Sequence, residues 1–336
     1  MRNRFPASFL FESVNEPAEA GMLGKKLNDL RGWIEDRTQE APYGCLMIRH
    51  GLIVAEWYGG DFSAGSLFET GSIRKSFNSA LIGIGIKQRK IDLKAKAIDF
   101  WPELIRISAE ETDSTITLHQ LASGISGWLT PDPPGKIFRY NNAAFTAAEK
   151  VVARAYGLVN DEIASEVIRR FKIPLGAESW NVYHFQREFT PEDIENPGPK
   201  LAIDSNMRDL VKWGALWLNK GVWNGEELIP GEYIELATHN VNPEIPNAFY
   251  GYNWFVNTKK SLWPEAPEDS YGHAGWGTFK PSGGESRAYL WICPSLDIVA
   301  AMVTEVSVGF ANDFLEIPLK ITAEWIGRIV SSVIRK

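Results

Sequence analysis

A chain of 336 residues with 44% hydrophobic and 23% charged residues can build a sizeable core, and its length favours about two structural units. The formal net charge of −7 argues against a nucleic-acid surface, because phosphate binding needs clustered lysine and arginine. Two cysteines, Cys45 and Cys293, are too few for a disulfide framework in a chain of this size. Both stand in apolar runs, so we expect buried, reduced thiols.

The ends and apolar stretches of the chain bear on its location. The N-terminal residues include arginines but no apolar segment of the kind that a signal peptide carries. The apolar stretch at residues 80–86 is far too short to span a bilayer. The sequence therefore predicts a cytoplasmic protein with no membrane partner, or a periplasmic one if an export signal has been removed. It carries no feature that predicts an oligomeric state.

The first predicted element is a helix between Gly21 and Glu40, where apolar residues recur at helical spacing. Apolar runs at Tyr43–Arg49 and Leu52–Tyr58, joined at His50-Gly51, predict a β-hairpin. A long helix is then predicted over about Ser72 to Lys90, since its first residues are small and polar.

From there to about Val241 the patterns are mostly helical, with loops rich in proline and glycine. Strands are predicted to return after Ala248, at Phe249–Val256, Glu285–Cys293 and Ile298–Thr304. A final helix carries an apolar stripe that includes Trp325 and Ile329. This order fits a sheet that begins near the N-terminus, is interrupted by helices, and is completed near the C-terminus.

Ser72 and Lys75 form the candidate catalytic pair. Side chains three positions apart on a helix face the same way, so the lysine amine would lie beside the hydroxyl. Serine becomes a good nucleophile when a base takes its proton, and lysine serves as that base when desolvation or nearby positive charge lowers its pKa. A surface helix with an incidental serine and lysine remains the alternative, because Ser-x-x-Lys occurs by chance roughly once in a chain this long.

Two further motifs occur once each, Tyr140-Asn141-Asn142 and His273-Ala274-Gly275. With these three motifs in this order, the chain resembles the family that contains class C β-lactamases, low-molecular-weight DD-peptidases, D-aminopeptidases and the β-lactamase-like (family VIII) carboxylesterases. Class A enzymes and penicillin-binding proteins have a related set of three motifs that includes Ser-x-x-Lys. The resemblance extends from about Gly21 onward and includes residues 121–127 and 224–230.

The resemblance implies an α+β, β-lactamase/transpeptidase-like fold, with an antiparallel sheet flanked by helices and an inserted, mostly helical domain. Residues 1–75 and 245–336 would together form the sheet domain, and residues 76–244 the helical domain, with the active site at their junction. The resemblance implies neither a cofactor nor a metal. The sequence likewise lacks the Gly-x-Ser-x-Gly and His-Glu-x-x-His motifs of other hydrolase classes.

The resemblance also implies roles for single residues. Ser72 would attack the carbonyl, and Lys75 with Tyr140 would act as general base and later general acid. Asn142 would hydrogen-bond Lys75 and the acyl side of the substrate. Tyr140 could instead be a half-buried aromatic with a solvated hydroxyl, and Asn142 could be the N-cap of a helix that starts at Ala143.

The third motif would lie on an edge strand beside the scissile bond. His273 and Gly275 belong to that strand, and the backbone N–H of Trp276 would complete an oxyanion hole with that of Ser72. A core histidine with satisfied hydrogen bonds is the alternative for His273. Arg287, on a predicted strand nearby, could supply a cation to the site or form a structural salt bridge.

The residue His273 bears on the substrate. It stands where class C β-lactamases and many penicillin-binding proteins have the lysine of Lys-Thr-Gly, the usual partner of a substrate carboxylate. Histidine is mostly neutral at pH 7 and attracts an anion less strongly. We therefore expect a carboxylesterase-like serine hydrolase acting on a small-molecule ester or amide. The alternatives are a β-lactamase, a D-amino-acid peptidase or amidase, and a penicillin-binding module that is acylated by a β-lactam without efficient turnover.

Overall fold

The structure, a computed structural model, describes residues 12–108, 110–158, 162–185, 200–305 and 317–334. Its strands are Tyr43–Arg49 (β1), Leu52–Gly59 (β2), Phe68–Glu69 (β3), Asn181–Phe185 (β4), Lys200–Ser205 (β5), Val222–Trp223 (β6), Glu226–Glu227 (β7), Phe255–Val256 (β8), Tyr271–Thr278 (β9), Glu285–Cys293 (β10) and Ile298–Glu305 (β11).

The α-helices are Gly24–Thr38 (α1), Lys75–Lys87 (α2), Glu103–Ser108 (α3), Leu118–Ala122 (α4), Asn142–Ala155 (α5), Glu162–Val167 (α6), Ile173–Leu175 (α7), Met207–Leu218 (α8), Gly231–Ala237 (α9) and Ile317–Ser331 (α10). Short 3₁₀ turns lie at Pro17–Ala20, Gly71–Arg74, Ala97–Asp99, Glu111–Thr115 and Thr258–Lys260, and a π turn lies at Ile168–Lys172. In the described ranges, no helix is long and apolar enough to cross a bilayer.

A six-stranded antiparallel sheet in the order β2-β1-β11-β10-β9-β8 forms the centre of the molecule. β1 pairs with β11, so the two ends of the chain complete one sheet, as the sequence predicted. The α+β fold with an antiparallel sheet flanked by helices is confirmed. The division of the chain into a sheet domain and a helical domain stays a prediction.

Each face of this sheet is covered by a separate hydrophobic core. Alternate residues of a strand point to opposite faces, so Leu290 packs in one core while its neighbours Tyr289 and Trp291 pack in the other. The first core includes residues of α2, α5 and α8. The second includes residues of α1 and α10, and there Trp33 donates a 2.6 Å hydrogen bond to Glu324.

The expectation of mostly helical structure up to Val241 is wrong in two respects, because β4 and β5, which join β3 in a sheet of order β3-β5-β4, and the two-stranded sheet β6-β7 lie in this region. β4 is short and half-exposed, and its five residues give too little alternation to stand out from the helices around it. β5 is more deeply buried, and its Ile203 carbonyl accepts the Thr70 backbone N–H at 2.9 Å. β5 therefore fixes the turn that leads into Ser72.

Two predicted boundaries also differ. Of the predicted strand Phe249–Val256, only β8 is extended, since Asn253 has a left-handed φ of 60° that breaks the strand before it. The helix predicted to reach Lys90 ends at Lys87, and Arg89 has a φ of 57°. Cys45 and Cys293 are buried, free thiols, as predicted, and burial raises the pKa of each to about 12.

Candidate active site

The 3₁₀ turn Gly71–Arg74 runs directly into α2 and places Ser72 beside Lys75. Residues three apart eclipse each other in a 3₁₀ turn, which brings Lys75 Nζ to 2.6 Å from Ser72 Oγ. α2 is not a surface helix, because every residue from Lys75 to Gly85 is buried. The lysine itself is 2% exposed. The pair is thus an internal one, facing the start of α5.

Tyr140 and Asn142 complete the surroundings of the amine. Lys75 Nζ lies 2.7 Å from the Tyr140 hydroxyl and 2.9 Å from Asn142 Oδ1. The N-cap of α5 is Asn141, whose side chain accepts the Ala143 N–H at 2.9 Å. The capping alternative for Asn142 is therefore wrong, and its amide oxygen is directed to the lysine.

Burial and positive neighbours favour the uncharged form of the Lys75 amine. Desolvation is the largest cause that lowers the pKa of Lys75 well below its ordinary value, and the charges of Arg74 and Lys200 add to it. Glu149 on α5 works in the opposite direction. This carboxylate forms a buried ion pair with Arg74 at 2.6 Å and accepts the Leu201 N–H at 2.7 Å.

A deprotonated Lys75 has two N–H groups and one lone pair to serve three partners. Asn142 Oδ1 can only accept, so it takes one N–H. Ser72 and Tyr140 carry hydroxyls that can donate, and one of them must face the lone pair. Burial raises the pKa of Tyr140, so its hydroxyl stays protonated and can pass a proton on. The cluster can therefore remove a proton from Ser72.

The strand β9 lies flush against the turn before Ser72, with no side chain between them. A Cβ added to Gly71, whose φ is 54°, would come within 2.5 Å of the Trp276 backbone nitrogen. A Cβ added to Gly275 would collide with the Thr70 carbonyl and come within 3.0 Å of the Ser72 nitrogen. Glycine at both positions brings the backbone amides of Ser72 and Trp276 together at the edge of the sheet.

His273 is both a satisfied buried histidine and a neighbour of Tyr140. The ring is 4% exposed, its Nδ1 lies 2.6 Å from the Ala274 carbonyl oxygen, and its Nε2 lies 3.1 Å from the Tyr250 hydroxyl. Nδ1–H thus donates and Nε2 accepts. Burial is the main cause, and the charge of Lys75 a second one, that lowers the pKa of His273 to about 3. The histidine is neutral at pH 7.

Arg287 places its charge on an aromatic ring. Its guanidinium carbon lies 3.2 Å from the centroid of the Trp276 ring, and the arginine is 8% exposed. Within the ranges that the structure describes, no three histidine, cysteine or acidic side chains cluster in a way that could hold a metal ion.

Sequence reasoning missed three residues of this site, namely Arg74, Glu149 and Tyr250. A signal existed for Glu149, which follows Asn142 by seven residues and so lies on the same face of α5 two turns later. Arg74 is adjacent to Lys75, and its burial could not be read from the sequence. Tyr250 lies in a region that we predicted to be a strand.

The model of the β-lactamase family matches residues 43–319, and the chain belongs to this family. A penicillin-binding protein homologue from Caulobacter crescentus is similar in structure, with a TM-score of 0.67 and 16% identity, over 93% of this chain and 99% of that one. A class C β-lactamase in complex with cefoxitin gives a TM-score of 0.64 and 13% identity, over 94% of this chain and 99% of that one.

A curated relative is known for part of the chain. It is an uncharacterized protein of Alkalihalophilus pseudofirmus, 30% identical over 104 residues. The match includes 30% of this chain and 26% of that protein, so the chain spans about a quarter of the length of the relative.

The Arg74–Glu149 pair gives a prediction of pH dependence. If Lys75 acts as a free amine, activity falls below the pKa of Lys75. Glu149→Gln removes the charge that raises this pKa, so the acidic limb of the kcat/KM profile should move to lower pH. Arg74→Gln leaves Glu149 unbalanced, raises the pKa, and should move the limb to higher pH. Each single change should lower the free energy of unfolding by about 3–5 kcal/mol.

The double variant Arg74→Gln/Glu149→Gln, which removes both charges, should return the acidic limb towards that of the wild type. Arg208→Gln, in the Glu56–Arg208 ion pair of 2.8 Å, is the control and should leave the limb in place. Two single variants that shift the limb in the same direction would contradict this account of Lys75.

The contact between β9 and the turn before Ser72 gives a second prediction. Gly275→Ala forces the strand away from Thr70 and separates the two backbone amides. Loss of one oxyanion donor typically costs about 10²–10³-fold in kcat, and we expect a loss of this size. Gly65→Ala is the control, because a Cβ there has open space. Equal activity of the two variants would exclude the two-amide oxyanion hole.

Proposed function

We propose that this chain is a serine hydrolase that cleaves a small ester or amide through an acyl-serine intermediate at Ser72. The observation that carries the proposal is the buried amine of Lys75, which lies within 2.9 Å of Ser72, Tyr140 and Asn142. A neutral amine beside a serine hydroxyl is the combination that nucleophilic catalysis by serine requires.

The proposed reaction has two halves. Lys75 takes the Ser72 proton as Oγ attacks the carbonyl carbon, and the backbone N–H groups of Ser72 and Trp276 stabilise the oxyanion. When the tetrahedral intermediate collapses, the proton passes from Lys75 through Tyr140 to the leaving oxygen or nitrogen. The acyl group is then bonded to Ser72, and the alcohol or amine departs.

In the second half, water attacks the acyl carbon and gives a proton to the same basic cluster. The Ser72–acyl bond breaks, Ser72 Oγ recovers the proton, and the carboxylic acid leaves. Asn142 would orient Lys75 in both halves, and the amine would alternate between its neutral and charged forms. A group with its pKa lowered towards the working pH is suited to this alternation.

The neutral state of His273 supports an uncharged substrate over an anionic one. A buried, neutral ring offers no net charge to the carboxylate of a β-lactam or of a peptide terminus. Similar structures are described as penicillin-binding and β-lactamase proteins, so β-lactam turnover and acylation without turnover are the competing outcomes.

The proposal is tested by active-site labelling. A fluorophosphonate probe should add one label to the wild type, located at Ser72 by peptide mass spectrometry. Ser72→Ala should take no label and lose at least about 10³-fold in esterase activity, because the nucleophile is gone. Ser66→Ala, which changes a partly exposed loop serine, serves as control. Labelling of Ser72→Ala at the wild-type level would refute the proposal.

The reaction class is tested by time courses with p-nitrophenyl acetate, nitrocefin and a D-aminoacyl p-nitroanilide. We expect continuous turnover of the ester at a higher kcat/KM than that of nitrocefin. A burst of one equivalent without further product would identify a module that is acylated and stays acylated. Faster turnover of nitrocefin than of the ester would identify a β-lactamase.

A further inference from the structure

A cavity of about 230 Å³ opens beside Ser72 and extends around the edge of β9. β8 pairs with β9 only at Tyr271 and Gly272, so the strand edge beyond them faces the cavity region. Lining residues come from both faces of the sheet. Leu290 belongs to the core that contains α2, whereas Tyr289 and Trp325 belong to the core that contains α10.

The wall of this cavity is mostly aromatic carbon. The aromatic residues that line it are Phe138, Tyr140, Phe255, Trp263, Trp276, Tyr289, Trp291 and Trp325. The indole nitrogens of Trp263, Trp291 and Trp325 are buried away from any accessible space, so these rings present carbon to the cavity. Binding is favourable when an apolar group displaces water from such a surface.

The charged and titratable lining residues do not change this character. Among the described lining residues only Arg287 carries a charge at pH 7, and its guanidinium is stacked on Trp276. His273 is neutral and donates its N–H to a backbone carbonyl. A carboxylate would have to be desolvated here, and the guanidinium of Arg287 in the cavity wall is already in contact with an aromatic ring.

We infer that this cavity is a substrate subsite for one uncharged apolar group, an alkyl chain or an aromatic ring, attached to the carbonyl that Ser72 attacks. The inference rests on the proposed function and narrows its substrates to esters or amides with such a group. A cavity of about 150 Å³ holds benzene, so 230 Å³ accommodates a ring with a short chain or an alkyl group of similar size.

Two substrate series test the subsite. The p-nitrophenyl esters of acids from acetate to octanoate vary the acyl group, and acetate esters of alcohols from ethanol to octanol vary the leaving group. One series should rise in kcat/KM by about threefold to fourfold for each added methylene until the cavity is filled, which also identifies the side of the ester that it binds. A flat or falling profile in both series would overturn the inference.

A matched pair of substrates tests charge. Once the two series have identified the acyl side, p-nitrophenyl hexanoate should be hydrolysed at least about tenfold faster than the p-nitrophenyl monoester of adipic acid, which has an acyl chain of equal length ending in a carboxylate; for the leaving-group side the same comparison is made between hexyl acetate and the acetate ester of 6-hydroxyhexanoate. Equal or faster hydrolysis of the adipate would overturn the inference, because it would indicate that Arg287 binds the anion.

A matched pair of variants locates the subsite. Ala274 and Ala323 are both partly buried against the core that contains α10, and only Ala274 lines the cavity. Ala274→Leu should lower the ratio of kcat/KM between the preferred long ester and the acetate by at least about tenfold. Ala323→Leu should keep the wild-type ratio. The same ratio in Ala274→Leu as in the wild type would overturn the inference.

Binding without chemistry separates this inference from the proposed function. The unreactive Ser72→Ala variant should bind hexyl acetate, with a change in tryptophan fluorescence because the ring of Trp276 lies at the cavity. Ligand binding together with no labelling of wild-type Ser72 would support the subsite and contradict the proposed hydrolase function. Labelling of Ser72 with neither ligand binding nor chain-length dependence would support the proposed hydrolase function and contradict the subsite.

Discussion

The burial of one lysine amine is the constraint on which the rest of this site depends. Lys75 is 2% exposed, and an ammonium there loses its hydration unless neighbouring groups replace it. The protein supplies three polar partners and then adds positive charge nearby, which favours the neutral form. The buried Arg74–Glu149 pair allows this, since it brings a guanidinium close to the amine without leaving that guanidinium unbalanced.

That arrangement in turn dictates the packing around it. α2 must be buried on all sides to desolvate the lysine, so it packs among other helices, against α5 and against Trp213 of α8, instead of on the surface. α5 contributes through its first turn and its third, with Asn142 reaching the amine and Glu149 reaching Arg74. The same carboxylate accepts a backbone N–H from β5, which also hydrogen-bonds the turn before Ser72. The electrostatic environment of Lys75 and the position of Ser72 therefore depend on one set of contacts.

Whether a feature could be predicted from the sequence depends on how far apart in the chain its interacting residues lie. The hairpin β1–β2, the last strands and the neighbourhood of Ser72 and Lys75 follow from local periodicity, and the structure agrees with them. The partnership with Tyr140 and His273 came from resemblance alone, because no local pattern relates residues 65 or more positions apart. β4 was not predicted because its short sequence has no clear strand pattern. Its pairing with β5 stabilises it as a strand, and a local pattern cannot show that pairing. Which of Asn141 and Asn142 is the N-cap could not be predicted from the helix pattern, because it depends on the contact of Asn142 with Lys75, which lies outside that helix.

The neutral histidine and the aromatic cavity lead to the same conclusion about electrostatics from opposite sides of β9. On one face His273 gives its N–H to the backbone and accepts from Tyr250, so it has no charge for a substrate. On the other face Ala274 opens onto tryptophan and tyrosine rings, and the nearby Arg287 is stacked on Trp276. β9 therefore has a neutral imidazole ring on one face and hydrocarbon on the other, although cationic side chains lie nearby. The positive charges that the site does hold, at Arg74 and Lys200, lie where they act on Lys75, and under the proposed function this separation would let one site activate serine while favouring an uncharged substrate.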